Sequence, residues 1–227
     1  MILCDKRLPY PAKVKLADFD ALIEICTENI TYTAISGHPD IFCCPVEDVI
    51  VVSPALPSNY TDIFSSHNIN WVYGLKPNAF NYPESAFYNA VVTENLLIHN
   101  LLITDPVIKA KAGIKKQIHV NQGYTRCNLL PLPGNIFITS DNGIYSVLTR
   151  EGFEVLYVNP HGIQLEGFPN GFIGGVCGVK GNNVFIAGNL SAYNEGQKIR
   201  EFLFQHSLTP VELYYGPLID GGSILFI

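Results

Sequence analysis

The chain has 227 residues, of which 48% are hydrophobic and 15% charged, and its formal net charge is −6. This length and apolar content predict a substantial buried core, in one large domain or two small ones. The negative charge argues against nucleic-acid binding, which usually needs a basic face. No apolar run reaches the roughly 18 residues that cross a bilayer, so we expect no membrane association.

The absence of several short motifs argues against several classes of enzyme and of metal site. The six cysteines form no C-x-x-C pair, so we expect reduced thiols and assign no metal ligands. No glycine-rich nucleotide loop, serine-hydrolase elbow or His-Glu-x-x-His motif is present, and we assign no cofactor. A metal bound by scattered acids stays open. The first seven residues include Asp5 and lack the apolar stretch of a secretory signal, so we expect a cytoplasmic protein.

Short apolar runs separated by turn residues predict an α/β protein. In chain order, strands are predicted at residues 2–4, 30–34, 41–46, 49–53, 71–75, 91–92, 96–102, 117–120, 129–130, 136–139, 155–158, 173–179, 184–187, 211–214 and 224–227. Helices are predicted for a segment with Phe19, Leu22, Ile23 and Cys26 at helical spacing, for residues 60–67, after Asp105, after Asp141, and around Ile199, Phe202 and Leu203. Asp105 and Asp141 are placed as helix N-caps, because aspartate there accepts a hydrogen bond from a free backbone N–H.

The second strand of each group recurs along the chain. These strands begin at residues 49, 96, 136 and 184, and a spacing of roughly 40 to 50 residues indicates a propeller or a solenoid. We therefore predict a single domain of strand-strand-helix-strand units, with boundaries near residues 37–81, 82–121, 122–171 and 172–219, and with a fifth unit split between 220–227 and 1–36. Pairing of the two chain ends would close the ring and remove exposed sheet edges. An ordinary two-layer α/β domain with coincidental repeats is the alternative.

In architecture the whole chain resembles the pentein superfamily, the five-unit α/β-propellers of guanidino-group modifying enzymes. That superfamily includes arginine and agmatine deiminases, dimethylarginine dimethylaminohydrolases, amidinotransferases and a non-enzymatic ribosome anti-association factor. The segment Asp220-Gly221-Gly222-Ser223-Ile224-Leu225-Phe226 is similar to the glycine pair before the last strand of these enzymes. The resemblance implies an axial pocket for a small guanidino, amidino or amino-acid-like compound.

Two positions depart from the pattern of these enzymes. The enzymes carry a nucleophilic cysteine on the last strand, where this chain has Leu225 or Phe226. They carry a histidine at the head of the preceding unit's first strand, where this chain has Phe172. Attack on a guanidinium carbon needs a thiolate and a proton donor. The usual deiminase mechanism is therefore expected to be absent.

The candidate site consists of polar residues at the heads of the first strands, which the resemblance places around the axis. We assign catalytic roles to His38, as acid or base, and to Cys127, as nucleophile, with a bound water as the alternative nucleophile. Substrate-binding roles are assigned to Asp5, Asp40, Glu84, Asn89, Arg126 and Asp220. Carboxylates suit a guanidinium, whose fork of donors matches two oxygens. A purely structural turn is the alternative for His38 and Asp40.

Two functions from different classes stay open. The first is a divergent enzyme of the guanidino-modifying type, a hydrolase or transferase that acts on C–N bonds of amidine-like substrates at a noncanonical site. The second is a catalytically inactive relative that binds a small molecule or a protein. The loss of both catalytic side chains favours the second function, whereas analogy of fold favours the first. In either case the expected partner is a small-molecule ligand, and the sequence does not indicate an oligomeric state.

Overall fold

The computed structural model describes all 227 residues as a mixed α/β protein with small sheets and eight helices. The strands are β1 (Ile2–Asp5), β2 (Leu22–Ile25), β3 (Cys43–Val46), β4 (Val49–Val52), β5 (Trp71–Tyr73), β6 (Val91–Val92), β7 (Leu96–His99), β8 (Lys116–His119), β9 (Leu129–Leu132), β10 (Ile136–Thr139), β11 (Val155–Tyr157), β12 (Ile163–Gln164), β13 (Cys177–Lys180), β14 (Asn183–Ile186), β15 (Thr209–Glu212), β16 (Leu218–Ile219) and β17 (Leu225–Phe226). The helices are α1 (Tyr10–Ala17), α2 (Pro39–Phe42), α3 (Ser58–Ser66), α4 (Pro106–Ala112), α5 (Thr125–Asn128), α6 (Asn142–Arg150), α7 (Ile173–Val176) and α8 (Gly196–Gln205). No helix has both the length and the apolar character needed to span a bilayer.

Five of the six sheets have three strands in one common arrangement. They are β17-β1-β2, β3-β4-β5, β6-β7-β8, β9-β10-β11 and β13-β14-β15. In each sheet the first strand is antiparallel to the middle strand, and the middle strand is parallel to the third. Parallel neighbours need a crossover connection, and a helix supplies it each time: α1, α3, α4, α6 and α8. The sixth sheet pairs only β12 with β16.

The two ends of the chain meet in one sheet. Leu3 of β1 lies opposite Leu225 of β17, and both side chains are buried. The N-terminal ammonium group donates a hydrogen bond of 2.7 Å to the carbonyl of Ile227. The predicted pairing of the chain ends is therefore confirmed.

The apolar core is divided among the sheets. Four clusters of buried side chains occur, and each joins residues of neighbouring sheets and of the helices packed on them. Every residue of the middle strands β4 and β7 is buried. Burial on both faces explains why these strands are continuous apolar runs in the sequence.

Both aspartates predicted as N-caps are confirmed. Asp105 accepts a hydrogen bond of 2.8 Å from the backbone N–H of Val107 at the start of α4. Asp141 accepts one of 2.8 Å from the backbone N–H of Ile144 at the start of α6. Each carboxylate satisfies one of the backbone donors that a helix leaves free at its N-terminus.

The N-terminal segment differs from the prediction. The helix predicted from the spacing of Phe19 and Cys26 is wrong, because α1 ends at Ala17 and Leu22–Ile25 form β2. Burial alternates along β2, as expected for a strand. The strand predicted at 30–34 is also wrong, since Thr33–Ile35 form a single 3-10 turn. An apolar run this short fits a helical and a strand period equally well.

Two first strands begin later than predicted. Residues 41–42 and 173–176 form the helical turns α2 and α7, and the strands start at Cys43 and Cys177. Pro39 favours the helical turn, because its fixed φ suits the first position of a helix. In α7 a side chain at Gly174 would overlap with the carbonyl oxygen of Arg126, so the turn packs closely on α5.

A buried histidine in the core generates a prediction about acid stability. His99 is fully buried, and its ring nitrogens lie 2.8 Å from Thr104 Oγ1 and 2.8 Å from the carbonyl oxygen of Gly123. Burial lowers the pKa of His99 from 6.5 to about 4. Between these pH values the unfolded state binds one proton more than the folded state, so the free energy of unfolding falls as the pH drops.

We expect the free energy of unfolding of the wild type, measured in urea, to fall by about 3 kcal/mol more than that of His99→Gln between pH 7 and pH 4. His67→Gln removes an exposed imidazole and serves as the control, which should follow the wild type. A difference between wild type and His99→Gln that does not change with pH would contradict this account.

Candidate functional site

Single helical turns directly before the first strands carry several of the predicted site residues. The turn α2 precedes β3 and holds Asp40, with His38 at its N-cap. The turn α5 precedes β9 and holds Arg126 and Cys127. All four side chains are buried. These residues therefore lie on helical turns and not on the strands themselves.

Asp40 is the centre of a buried group of polar side chains. Its Oδ2 accepts a hydrogen bond of 2.6 Å from the hydroxyl of Ser223 and one of 3.1 Å from the thiol of Cys127. Asn89 holds Cys127 from the other side: its Oδ1 accepts from the Cys127 backbone N–H at 3.0 Å, and its Nδ2 lies 3.3 Å from Sγ. We call these four residues together with His38 the Asp40 cluster.

His38 is 1% exposed, and neither of its ring nitrogens has a hydrogen-bond partner. Its Nδ1 lies 4.0 Å from Asp220 Oδ1, and its Nε2 lies 4.0 Å from Asp5 Oδ2. One side-chain atom each of His38, Asp40 and Cys127 lie within 4.8 Å of one another. The structure thus brings the two predicted catalytic residues together. A buried polar group without a partner costs about 1–3 kcal/mol, which makes His38 unusual.

Asp220 is buried at the floor of a cavity. Its Oδ2 accepts from the backbone N–H of Phe172 at 2.9 Å, and its Oδ1 accepts from that of Gly222 at 3.0 Å. Burial raises the pKa of Asp220 from 3.8 to about 6, although the neighbouring His38 and these hydrogen bonds oppose the shift. A side chain at Gly175 would overlap with this carboxylate. The backbone at Gly175 can therefore lie this close to Asp220 only because glycine has no side chain.

Asp5 already binds a guanidinium from within the chain. Arg7 Nε donates to Asp5 Oδ1 at 3.0 Å, and Arg7 Nη2 donates to Oδ2 at 2.6 Å. Arg7 Nη1 and Nη2 also donate to the carbonyl oxygens of Thr33 and Ala34, respectively. This pair shows that the Asp5 carboxylate accepts the fork of a guanidinium, and the hydrogen bonds that Arg7 donates to Asp5 raise the pKa of Arg7.

Two of the predicted substrate-binding residues, Arg126 and Glu84, form no side-chain hydrogen bond with the Asp40 cluster and do not line the cavity at Asp220. The buried guanidinium of Arg126 donates to the carbonyl oxygens of Gly174 at 2.9 Å and Cys177 at 3.1 Å, which joins α5 to the α7 segment. Burial lowers the pKa of Arg126. Glu84 is half-buried on the 3-10 turn Glu84–Ala86, and no hydrogen bond joins its side chain to the Asp40 cluster. Their roles in binding stay predictions.

The Cys127 thiol is held in its protonated form. Burial raises the pKa of Cys127 well above 9.0, and the charges of Asp40 and Asp220 raise it further. The thiol is 3% exposed and donates to a carboxylate. A nucleophilic cysteine needs the opposite surroundings, in which nearby positive charge favours the thiolate. The nucleophilic role of Cys127 stays a prediction that these surroundings do not favour.

A cavity of about 570 Å³ opens above Asp5 and Asp220. Its walls include Arg7, His161 and the exposed carboxylate of Glu166. Three carboxylates therefore face this cavity, and one of them is paired with Arg7. Such a lining favours a small ligand that carries positive charge.

A second cavity of about 650 Å³ adjoins the first, and Ala34, Glu166 and Phe168 line both. Its other walls are largely aromatic: Tyr32, Phe80, Tyr82 and Tyr124. Tyr124 also connects it to the turn at Glu84–Ala86 through a hydrogen bond of 2.6 Å between its hydroxyl and that of Ser85. The two cavities together offer an acidic end and an aromatic end.

Sequence reasoning missed two residues of this region. Ser223 belongs to the terminal glycine motif, and its hydroxyl donates a hydrogen bond to Asp40. Its position directly after Gly222 was the one available signal. Glu166 lies in the loop between β12 and α7, and nothing in the sequence around it indicates a cavity wall.

The fold has a counterpart among solved structures. SxtG, an amidinotransferase from Microseira wollei in the saxitoxin biosynthetic pathway, matches with a TM-score of 0.56 and 10% sequence identity. The match covers 88% of this chain and 76% of that chain. At this identity the match shows a shared fold. Because amidinotransferases belong to the superfamily that the terminal segment resembles, the fold is pentein-like.

A family model matches residues 3–225, which is nearly the whole chain. The chain therefore belongs to that family, described as a family of unknown function (DUF6873). A search of the curated proteins finds no match to this sequence.

The contact of Gly222 with His38 generates a matched pair of mutations. Gly222 has a φ of +67°, and a side chain there would overlap with Cβ of His38, whereas Gly181 has a φ of +58° with nothing near its missing Cβ. Both alanine variants bear backbone strain of roughly 1 kcal/mol or more. We expect Gly222→Ala to lose a further ~1–3 kcal/mol of unfolding free energy, because His38 must move.

Urea unfolding of both variants measures this difference. Equal losses in Gly222→Ala and Gly181→Ala would show that His38 is not fixed by the close approach of the Gly222 backbone.

Proposed function

We propose that the five three-stranded sheets are the units of one closed, pentein-like α/β-propeller domain. Three observations support this proposal. The five sheets share one strand order and one helical crossover. The first strands of neighbouring sheets contact each other, as in β3 with β6 and β9 with β13. The two chain ends pair in the fifth sheet.

We further propose that the chain binds a small guanidino, amidino or amino-acid-like cation in the cavity above Asp5 and Asp220. The observation that carries this proposal is the set of three carboxylates around one cavity, with Asp220 buried at its floor. A guanidinium or amidinium donates paired hydrogen bonds that match carboxylate oxygens. Since Arg7 already neutralises Asp5, the carboxylates of Asp220 and Glu166 are those left for a ligand.

The size and shape of the cavity region fit this ligand class. About 570 Å³ lies within the range of small-molecule sites. The adjoining aromatic walls of Tyr32 and Phe80 would contact the apolar part of a ligand or the face of a delocalised cation. The half-exposed guanidinium of Arg7 lies on the same wall as Asp5 and would face the carboxylate of an amino-acid-like ligand.

Binding without chemistry is the form of this function that the surroundings of Cys127 favour. The position that holds a nucleophilic cysteine in the enzymes corresponds to Leu225 or Phe226, and Leu225 is buried in the apolar core. Cys127 is the alternative thiol, but its raised pKa disfavours the thiolate. A noncanonical enzyme acting on C–N bonds is the second candidate, and the observation in its favour is His38, held between the carboxylates of Asp5 and Asp220.

The proposal is tested by the shift in melting temperature with arginine, agmatine, methylated arginines and citrulline. Citrulline is the matched control ligand, because it replaces the guanidinium of arginine by a neutral urea group. A ligand at a hundredfold excess over its Kd stabilises the fold by about 2.7 kcal/mol, which shifts the melting temperature measurably. We expect stabilisation by one or more of the cations and none by citrulline.

Asp220→Asn and Glu166→Gln should reduce this shift, whereas Asp18→Asn, which removes an exposed carboxylate outside the cavity, should retain it. Stabilisation that survives in Asp220→Asn would place the ligand elsewhere. For any ligand that binds, release of ammonia, an amine or a urea on incubation would support the enzymatic candidate over simple binding.

A further inference from the structure

A second potential site lies beneath the cavity floor and has the chemistry of a metal centre. One nitrogen of His38, one oxygen of Asp40 and the sulfur of Cys127 all lie within 4.8 Å of one another, and all three residues are buried. Asp40 and Cys127 are separated by 87 positions in the sequence. This separation explains why no local ligand spacing predicts the site.

Three atoms of this group lack partners. Both ring nitrogens of His38 and Oδ1 of Asp40 are buried without a hydrogen bond, and only Thr31 and Asn78 have comparable atoms elsewhere in the chain. Buried polar atoms in proteins are nearly always satisfied, and each exception needs a reason. Lone pairs of an imidazole nitrogen and a carboxylate oxygen directed into one buried space are a common arrangement for metal ligands.

We propose that His38, Asp40 and Cys127 bind a divalent transition metal, with Zn²⁺ as the best match to the donor set. Nitrogen, oxygen and thiolate sulfur are the ligands that zinc takes in proteins, whereas Mg²⁺ and Ca²⁺ require oxygen. Tetrahedral zinc separates its ligand atoms by roughly 3.3–3.7 Å. The present separations, 4.8 Å or less, reach this geometry with side-chain movements of roughly 1 Å. Three protein ligands leave the fourth position for water.

The charges around the site favour a divalent ion bound to a thiolate. The carboxylates of Asp5, Asp40 and Asp220 are accompanied by only two guanidinium groups, those of Arg7 and Arg126. This leaves one negative charge in excess. A divalent ion with one thiolate adds one positive charge and would offset this excess, which lowers the cost of burying these carboxylates.

Loading of the metal is balanced by the release of one proton. The S–H bond of Cys127 breaks, a sulfur–metal bond forms, and the proton passes to water. The hydrogen bond from the thiol to Asp40 Oδ2 is lost, and coordination by Asp40 replaces it. Ser223 and Asn89 remain hydrogen-bonded to Asp40 and Cys127 and would hold these ligands in place.

The remaining ring nitrogen of His38 would face an acid. Asp5 and Asp220 lie 4.0 Å from the two ring nitrogens, so whichever nitrogen binds the metal, the other has a carboxylate beside it. A histidine ligand usually donates its second N–H to such a group. Because Asp5 and Asp220 also line the cavity, the metal would lie directly behind the proposed ligand site.

The test uses the full chain, unfolded with a chelator and refolded with Co²⁺, because the ligands are buried. The absorption spectrum of bound Co²⁺ depends on its ligands. A thiolate ligand gives a charge-transfer band, and tetrahedral geometry gives intense visible bands. We expect one Co²⁺ per chain with both features and displacement by Zn²⁺. Cys127→Ala should lose the charge-transfer band, while Cys177→Ala, which removes another buried thiol, should keep it.

A second measurement needs no variant and covers the case in which Cys127→Ala fails to fold. Wild-type protein is alkylated in mild denaturant with and without Zn²⁺, and the modified cysteines are identified by mass spectrometry. We expect Zn²⁺ to protect Cys127 several-fold more than Cys177. Any one of three results would overturn the proposal: folded wild-type protein that takes up no cobalt, a charge-transfer band that persists in Cys127→Ala, or equal protection of the two thiols. A buried water would then be the expected hydrogen-bond partner of His38.

Discussion

Burial of the Asp40 carboxylate is the constraint on which much of this structure depends. A carboxylate removed from water must be compensated by hydrogen bonds or by opposite charge. Here the compensating groups are the hydroxyl of Ser223 and the thiol of Cys127, which come from distant parts of the chain. Asp40 therefore joins the turn before β3, the turn before β9 and the segment before β17. Asn89 extends the same network to the segment before β6.

This network has a consequence for how the backbone packs around the Asp40 cluster. Polar side chains from several units can converge only where the backbone allows close approach, and Gly222 against His38 and Gly175 against Asp220 supply that approach. The apolar core is divided into four clusters that join neighbouring sheets and their helices. Asp5 and Asp220 lie beside His38 and also line the cavity, so they connect the Asp40 cluster to it.

Most strands and helices followed from local pattern, and the errors have physical causes. Four of the five middle strands, such as β10 at residues 136–139, were predicted within a residue at either end because burial on both faces leaves an uninterrupted apolar run. The fifth, β7, ends at His99, three residues before the predicted end at residue 102. The N-caps Asp105 and Asp141 followed from chemistry that acts within three residues. Leu22–Ile25 was assigned to the wrong type, because four residues satisfy both periods. The turns α2 and α7 escaped notice because tertiary packing, as at Gly174, decides them.

The sequence by itself determined most of the alternation of strands and helices and the recurrence of the apolar middle strands, since both depend on residue types and short separations. It also identified His38, Asp40, Cys127 and Asp220 as candidate site residues. Only the tertiary structure decided which of these side chains meet, that Arg126 binds backbone carbonyls, and that the Cys127 thiol faces a carboxylate. The protonation of these side chains and their preference for a ligand depend on burial and on distances between residues far apart in the sequence. Neither quantity is encoded in any local stretch of residues.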